Sequence, residues 1–312
     1  MCKIGILYGM EESFPPALVA HINELIAARG IPDLQAESLL VDGVRMAECS
    51  PYCLIIDRIS HDIPFYRSFL KNAALAGTQI INNPFWWSAD DKFFNYALAE
   101  RLGVAVPRTV LLPHKNHPPG TTDRSMRNLR YPLDWDAIFE YVGFPAFLKP
   151  HNGGGWRDVH KVNSPAEFYS AYDQTGNLCM VLQRGVHFEE YYRCYVIGQE
   201  KVHIMRYDPR QPHHLRYVAG NPPAPPDLAE RITNDCLKLC RALGYDINTV
   251  EFAVEGGVPY AIDFMNPAPD AGLESVGLEN FNWIVEAVAE LALDRAMKPV
   301  APLPLRWSAL LS

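Results

Sequence analysis

The stretch NTVEFAVEGGVPYAIDF, residues 248–264, restricts the fold of this chain more than any other. Two apolar runs flank Gly256-Gly257, which reads as an antiparallel hairpin closed by a glycine turn. Each run holds one acid, Glu251 and Asp263, at positions whose neighbours ask for burial. A buried carboxylate is costly unless it is paired or binds a metal ion, so the two acids are candidate ligands, with an arginine ion pair as the alternative. Register separates the readings. A two-residue turn sets Glu251 opposite Ile262 and sends the acids to opposite faces, whereas a three-residue turn that includes Val258 sets Glu251 opposite Asp263. A metal site therefore predicts the longer turn, and carboxyl groups on opposite faces would contradict it.

A second distinctive stretch is FLKPHNGGGWRDVHKV, residues 147–162. A short apolar strand ends in Lys149, and Pro150 stops it. Gly153, Gly154 and Gly155 then form a loop before the chain extends again at Val159–Val162. Glycines let backbone N–H groups approach an anion closely, and the lysine adds a fixed positive charge, so the loop reads as a lid for phosphates. It is not GxxxxGK[ST], because the lysine precedes the glycines and no helix follows directly.

Upstream, strands alternate with helices. Lys3–Tyr8 reads as a buried parallel strand, Pro16–Arg29 as a helix stopped by Gly30, and Leu39–Val41, Cys53–Asp57 and Gln79–Asn82 as further strands, with a helix at Pro64–Ala76. This pattern predicts a small open α/β domain up to about residue 88. Ligands of such domains lie at the carboxyl ends of the strands, which singles out Glu11 and Ser13 after the first strand and Arg58 after Cys53–Asp57, with Glu12, His61 and Asp62 as loop charges nearby.

Ser88 is the expected cap of a helix running through DKFFNYALAERL to Gly103, with Asp91 as its capping-box partner. Lys92 lies in the first turn, where the helix dipole disfavours a cation unless an anion sits nearby. Val104–Leu112 is strand-like. A helix is expected at Trp135–Tyr141, and Ser164-Pro165 opens another. Met180–Gln183 is an apolar strand, YYRCYVIG and KVHIMRY form a hairpin about Gly198-Gln199, and Asp227–Leu243 is a helix stopped by Gly244. The final helix is expected over Asn280–Leu293.

The chain has 312 residues, 48% hydrophobic and 21% charged, enough for two or three domains with buried cores. A net charge of −8 argues against a nucleic-acid binder. No apolar run reaches membrane-spanning length, and the seven scattered cysteines are most simply read as reduced thiols in a cytoplasmic setting. Cys236 and Cys240 share a helix face but lack partners for a metal site, so they read as buried thiols.

The order of these parts resembles the ATP-grasp superfamily, specifically the carboxylate–amine ligases of the glutathione synthetase and RimK type. The resemblance covers nearly the whole chain, and DKFF…GVAVPRTV looks like the family's opening of the ATP-grasp domain. It implies an N-terminal open α/β domain (1–88), a central subdomain with the glycine loop (89–181) and a C-terminal subdomain with the acid hairpin (182–312), α+β in the ATP-grasp part. It implies that Lys92 and Lys149 contact ATP phosphates and that Gly153, Gly154 and Gly155 close over them. Gln183, Arg184 and Val186 would lie along the adenine, and Glu190 would bind the ribose. Glu251 and Asp263 would hold Mg²⁺, or Mn²⁺ in its place.

The family usually ends its metal hairpin with E-x-N, whereas here IDFMNPAPD places Asn266 three residues after Asp263. Either a bulge at Phe264-Met265 restores Asn266 as a ligand, or Asp270 or water substitutes. The implied reaction is ATP-dependent joining of a small-molecule or peptide carboxylate to an amine. Arg210 or Arg216 would neutralise the acyl-phosphate, with Arg193 and Arg206 as alternatives and His213 or His214 as the base. A kinase acting on a hydroxyl, or a nucleotide-binding module without chemistry, are the rival readings. Small-molecule or peptide substrates are the expected partners, with neither nucleic acid nor membrane. Relatives in the family are often dimers or tetramers, which makes a homo-oligomer compatible with the resemblance.

Overall fold

The computed structural model describes residues 2–85, 91–212, 215–217 and 223–298. The chain divides into two compact units, one of residues 1–87, 191–251 and 263–312, the other of residues 88–190 and 252–262.

The first unit opens with β1 (Cys2–Leu7), α1 (Phe14–Arg29), β2 (Leu34–Ser38), β3 (Tyr52–Asp57), α2 (Pro64–Leu75) and β4 (Gln79–Ile81). The four strands form an all-parallel sheet in the order β2-β1-β3-β4. The order reverses between β1 and β3, so their carboxyl ends flank a crevice of the kind in which open α/β sheets bind ligands. Buried Phe14, Leu18, Ile22 and Ile26 recur every four residues and give α1 one apolar stripe, each side chain worth about 1.5–3 kcal/mol of burial. Prolines fill its first turn, and Gly30 ends it at φ 63°, which glycine adopts without strain.

The expected strand at Leu39–Val41 is not formed. The strand is instead Leu34–Ser38, where buried Leu34 and Ala36 alternate with outward Gln35 and Glu37, while Leu40 is 91% exposed. An edge strand needs alternation rather than a continuous apolar run. The cysteines also depart from expectation, because Cys2 and Cys53 form a disulfide between β1 and β3, with Cα atoms 5.8 Å apart. Cys236 and Cys240 are buried free thiols.

The second unit is built from α3 (Lys92–Arg101), β5 (Thr109–Leu112), α4 (Trp135–Val142), β6 (Ala146–Pro150), β7 (His160–Val162), α5 (Pro165–Asp173) and β8 (Met180–Arg184). Its antiparallel sheet has the order β5-β8-β6-β7. The Asp91 carboxylate itself caps α3 by accepting from the Phe94 N–H, so Asp91 holds the place expected of Ser88, which lies outside the described residues. Ser164 caps α5 as expected. The strand expected over Val104–Leu112 shrinks to Thr109–Leu112, because only those residues find partners on β8. Trp135, Phe139, Phe168 and Tyr172 pack ring against ring beneath the sheet.

The remaining elements are β9 (Glu190–Ile197), β10 (Lys201–Arg206), α6 (Pro226–Leu243), β11 (Ile247–Glu255), β12 (Val258–Asp263), α7 (Leu273–Val276) and α8 (Leu278–Met297). They include a third sheet of order β10-β9-β11-β12. Within the first unit, α8 packs on α1 and shares its core with Ile4, Leu18, Ile22 and Ile56. Among the described residues no helix is long and apolar enough to cross a membrane.

Candidate active site

The second unit arranges its cations around α3 and β6. In the β6/β8 register Lys149 faces Val181 and Phe147 faces Gln183, which leaves Lys149 and Gln183 diagonal on one face of the sheet. The Lys149 ammonium donates to Gln183 Oε1 at 2.8 Å and to the Tyr96 hydroxyl at 2.7 Å. Gln183 is buried, and its Nε2 donates to Thr109 Oγ1 at 2.8 Å, which fixes the amide with its oxygen toward the lysine. Lys92 lies one helical turn before Tyr96 on α3. Its backbone N–H donates to the His151 carbonyl at 2.8 Å, and its ammonium donates to the Gly153 carbonyl. Both expected phosphate lysines are thus tied to the strand and loop that carry the glycines. Gly153 and Gly155 have φ of 80° and 70°, and residues 152–158 are exposed.

The segment after β8 is latched to the hairpin turn. Arg184 donates to Glu255 Oε2 at 2.7 Å and lies over the Tyr260 ring, while the His187 N–H donates to Glu255 Oε1 at 2.8 Å. The Arg184 contact, ahead of burial that works the other way, holds the Glu255 carboxyl below its usual range. Gly185 has to be glycine, because a Cβ there would sit 2.7 Å from the Pro145 carbonyl oxygen. Gln183, Arg184, Val186 and Glu190 therefore follow one another along a fixed strand exit, with Val186 and Glu190 half-buried.

In the first unit the acids meet a cluster of tyrosines and arginines. Tyr191 and Arg193 project from the same face of β9, and Tyr207 and Tyr217 continue the row as an isolated bridge pair. Tyr191 donates to Glu251 Oε2 at 2.7 Å, and Arg193 Nε lies 3.7 Å from Glu251 Oε1. Arg193 also donates to Thr249 Oγ1 at 3.4 Å and stacks over the Tyr207 ring. Burial first, then the Asp263 charge, push the Glu251 carboxyl up, against the pull of Arg193. The Asp263 charge likewise adds to the burial that raises the Tyr191 hydroxyl. Arg193 Nε and the Tyr217 hydroxyl are buried without a hydrogen-bond partner among the described residues.

The three-residue hairpin turn expected for a metal site is not found. Gly256 and Gly257, at φ 58° and 74°, form a two-residue turn, and Val258 already belongs to β12. An ideal ladder then places Glu251 opposite Ile262. The Asp263 charge acts on Glu251 all the same, and Asp263 is the last residue of its strand, where the pleat ceases to dictate direction. Beyond it, Asn248 takes over from the ladder, donating to the Phe264 carbonyl and accepting from the Asn266 N–H. Asn266 Nδ2 donates to the Thr249 carbonyl at 3.1 Å, which leaves the amide oxygen as its atom for a cation. Asp270 is committed elsewhere, accepting from the Gly272 N–H and the Ser275 hydroxyl. No group of three or more His, Cys, Asp or Glu side chains is placed to hold a metal among the described residues, and the candidate donors are the two carboxylates and the Asn266 amide. A carboxylate raised by burial and by a second negative charge, as Glu251 is, is what a divalent cation would relieve, and in this respect the residues fit Mg²⁺.

Of the substrate residues expected at the β1/β3 crevice, Arg58 and Glu11 meet, while Ser13 bonds to a different segment. Arg58 is buried, donates to Glu11 from Nε at 2.9 Å and from Nη2 at 2.5 Å, and donates to the Pro269 carbonyl at 2.6 Å. Ser13 Oγ accepts from the Leu273 N–H at 3.0 Å. The Arg58 charge is therefore already matched by Glu11. Of the two arginines expected to be catalytic, Arg210 is 68% exposed and paired with Asp208, while Arg216 donates to the Tyr207 hydroxyl at 3.3 Å and its charge reaches Glu251. Arg206 stacks on Tyr192, and His213 and His214 lie outside the described residues, as do Trp86 and Trp87. Sequence reasoning missed Tyr96, Thr109, Tyr191 and Glu255. Tyr191 at least sits two residues before Arg193 in an alternating strand, a spacing that marks a shared face.

No protein-family model matches the chain. The curated proteins it matches include mitochondrial pyruvate carboxylase from Homo sapiens, 28% identical over 128 residues, which covers 36% of this chain and 11% of that protein. The enzyme from Mus musculus is 27% identical over 152 residues, covering 44% and 13%. The chain thus spans about a tenth of the length of these relatives. Among solved structures, D-alanine–D-alanine ligase from Bacillus anthracis in complex with ATP is similar over 100% of both chains, with a TM-score of 0.63 at 16% identity. A RimK domain ATP-grasp protein from Sphaerobacter thermophilus covers 94% of this chain, with a TM-score of 0.62 at 16% identity and all of its own chain matched. The ATP-grasp ligase PsnB, complexed with minimal precursor, Mg and ADP, covers 95% of this chain and 98% of its own, with a TM-score of 0.61 at 13% identity.

Proposed function

We propose that this chain, which has the ATP-grasp fold, is an ATP- and Mg²⁺-dependent ligase that joins a small-molecule or peptide carboxylate to an amine. The observation that carries the reading is the half-buried cluster of Glu251, Asp263 and Arg193, a carboxylate raised by burial and by its neighbour's charge beside a guanidinium whose Nε–H has no hydrogen-bond partner among the described residues. Such a cluster is stabilised by a cation on the acids and an oxyanion at the donors. Solved structures of the same fold that contain ATP, or Mg and ADP, support the choice of nucleotide and metal.

In this reading Glu251, Asp263 and the Asn266 oxygen would hold Mg²⁺, which would supply charge to neutralise the phosphates of ATP. Lys92 and Lys149 contact the phosphates, and the glycine loop 153–155 closes over them. Gln183, Arg184 and Val186 line the adenine, and Glu190 binds the ribose hydroxyls. The substrate carboxylate attacks the γ-phosphate, the bond to ADP breaks, and an acyl-phosphate forms. The amine then displaces inorganic phosphate and loses a proton to give the amide. Arg193 and Arg216 flank the Tyr191–Tyr207–Tyr217 row and are better placed than Arg210 to stabilise the oxyanion. Glu11, Ser13 and Arg58 form a substrate wall that offers a matched ion pair rather than a bare cation, which favours a polar or zwitterionic group over a multiply charged anion. The functional parts are residues 1–88, 89–181 and 182–312, in a cytoplasmic enzyme.

The test is ADP release over a panel of amino acids and short peptides as carboxylates, with hydroxylamine as the trapping amine. Carboxylate-dependent ADP release with hydroxamate formation is the expected result. A stable phosphorylated hydroxyl product would make the chain a kinase instead, and ATP binding without turnover on any substrate would make it a binding module.

A further inference from the structure

One buried hydroxyl joins two parts of the proposed nucleotide site. Tyr96 is 2% exposed on α3, one turn beyond Lys92. Its hydroxyl donates to the Ile262 carbonyl at 2.7 Å and lies 2.7 Å from the Lys149 ammonium. A phenol has one proton and two lone pairs, so with the proton spent on the carbonyl it can only accept from the lysine. The direction of both bonds is therefore fixed. Ile262 immediately precedes Asp263 in β12, and Lys149 lies near the end of β6.

We propose that Tyr96 is a positioning residue, setting the Lys149 ammonium and the end of β12 that carries Asp263 by a single hydroxyl. The inference rests on the nucleotide and metal reading given above and adds a residue that does not itself touch ATP. The Gln183 amide and the Tyr96 hydroxyl hold the long lysine side chain from different elements, and the same hydroxyl holds the backbone that leads into the acid. Phosphoryl transfer depends on such placement because its catalysis is mostly positioning. Because Lys92 and Tyr96 are four residues apart, one face of α3 addresses both the glycine loop and the Lys149 strand.

The test is a double-mutant cycle on the full chain, with Tyr96→Phe, Lys149→Met and the pair, read by calorimetric titration with ATP in excess Mg²⁺. Tyr96→Phe is expected to weaken MgATP by about tenfold, the loss of one hydrogen bond to a charged group, but by less than about twofold when Lys149 is already methionine. Binding stoichiometry separates lost affinity from lost folded protein. A second measurement needs no nucleotide: amide hydrogen exchange in residues 258–266 is expected to quicken in Tyr96→Phe and stay unchanged in Lys149→Met. The inference is overturned if Tyr96→Phe binds MgATP like wild type, if its cost is the same in both backgrounds, or if exchange at 258–266 does not change. Those results leave the nucleotide reading standing. Failure of the wild-type chain to bind ATP would overturn that reading, and this inference with it.

Discussion

Two polar clusters of the first unit, one buried and one half-buried, differ in how their hydrogen bonds are met. At Asn82 every hydrogen-bonding capacity is used: Oδ1 accepts from the N–H groups of Asp246 and Ile247, and Nδ2 donates to the carbonyls of Ile247 and Pro267, all within 3.0 Å. Around Arg193 the sum does not close, since Arg193 Nε and the Tyr217 hydroxyl have no hydrogen-bond partner among the described residues, and burial with the Asp263 charge raises the Glu251 carboxyl. A satisfied cluster fixes a chain crossing. An unsatisfied one stores a cost that a ligand can remove. The difference separates scaffold from site without reference to any relative.

Breaking the first cluster should have the largest effect on stability. Asn82→Ala leaves two N–H groups and two carbonyls unpaired, and it should cost about 3–4 kcal/mol in urea unfolding while the remaining folded protein keeps its ATP affinity. A loss below about 1 kcal/mol would show that Asn82 is not the clamp its hydrogen bonds describe.

The second cluster should respond the other way. Glu251→Gln should leave stability within about 1 kcal/mol of wild type, because it removes a carboxyl that is strained in its ionised form, and it should remove the Mg²⁺-dependent part of ATP binding. The pH dependence has a definite sign. A carboxyl whose folded pKa is raised binds its proton more tightly in the native chain, so it contributes stability at low pH that is lost as pH climbs from the usual 4.5 through the raised value. In the metal-free chain, Glu251→Gln should flatten that slope, and an unchanged slope would place the titration elsewhere.

The arginines sharpen the comparison at smaller amplitude. Arg216→Ala should slow substrate-dependent ADP release by about tenfold, as loss of a donor near the site would, whereas Arg210→Ala, already exposed and paired with Asp208, should change it by less than about twofold. Equal effects would break the distinction. The smallest effect belongs to His21, which sits between Glu24 and Glu286 where α1 meets α8. Burial opposes its charge, but the two carboxylates outweigh that and raise its pKa above 6.5. Its contribution, about 0.5 kcal/mol for a largely solvated pair, is present below 6.5 and should fade as pH rises through the raised value. His21→Asn should abolish that step in a stability-against-pH titration and leave ATP binding alone.

Much of this was legible in the residues. Strand and helix positions followed from hydrophobic periodicity and from stops such as Gly30 and Gly244. What escaped was set by partners distant in sequence. The Leu39–Val41 run is apolar but has no strand beside it, whereas Leu34–Ser38 pairs with β1. The hairpin turn followed the left-handed preference of two glycines rather than the needs of a metal site. Tyr96 carries no motif, and its contacts arise only when α3 meets β6.

The central claim is tested most directly by calorimetric titration of ATP with and without Mg²⁺, on wild type and on Asp263→Ala of matched melting temperature. The account predicts that Mg²⁺ raises wild-type affinity by about tenfold or more and that Asp263→Ala loses this gain while still binding free ATP. No ATP binding by the wild-type chain, or an undiminished Mg²⁺ gain in Asp263→Ala, would contradict it.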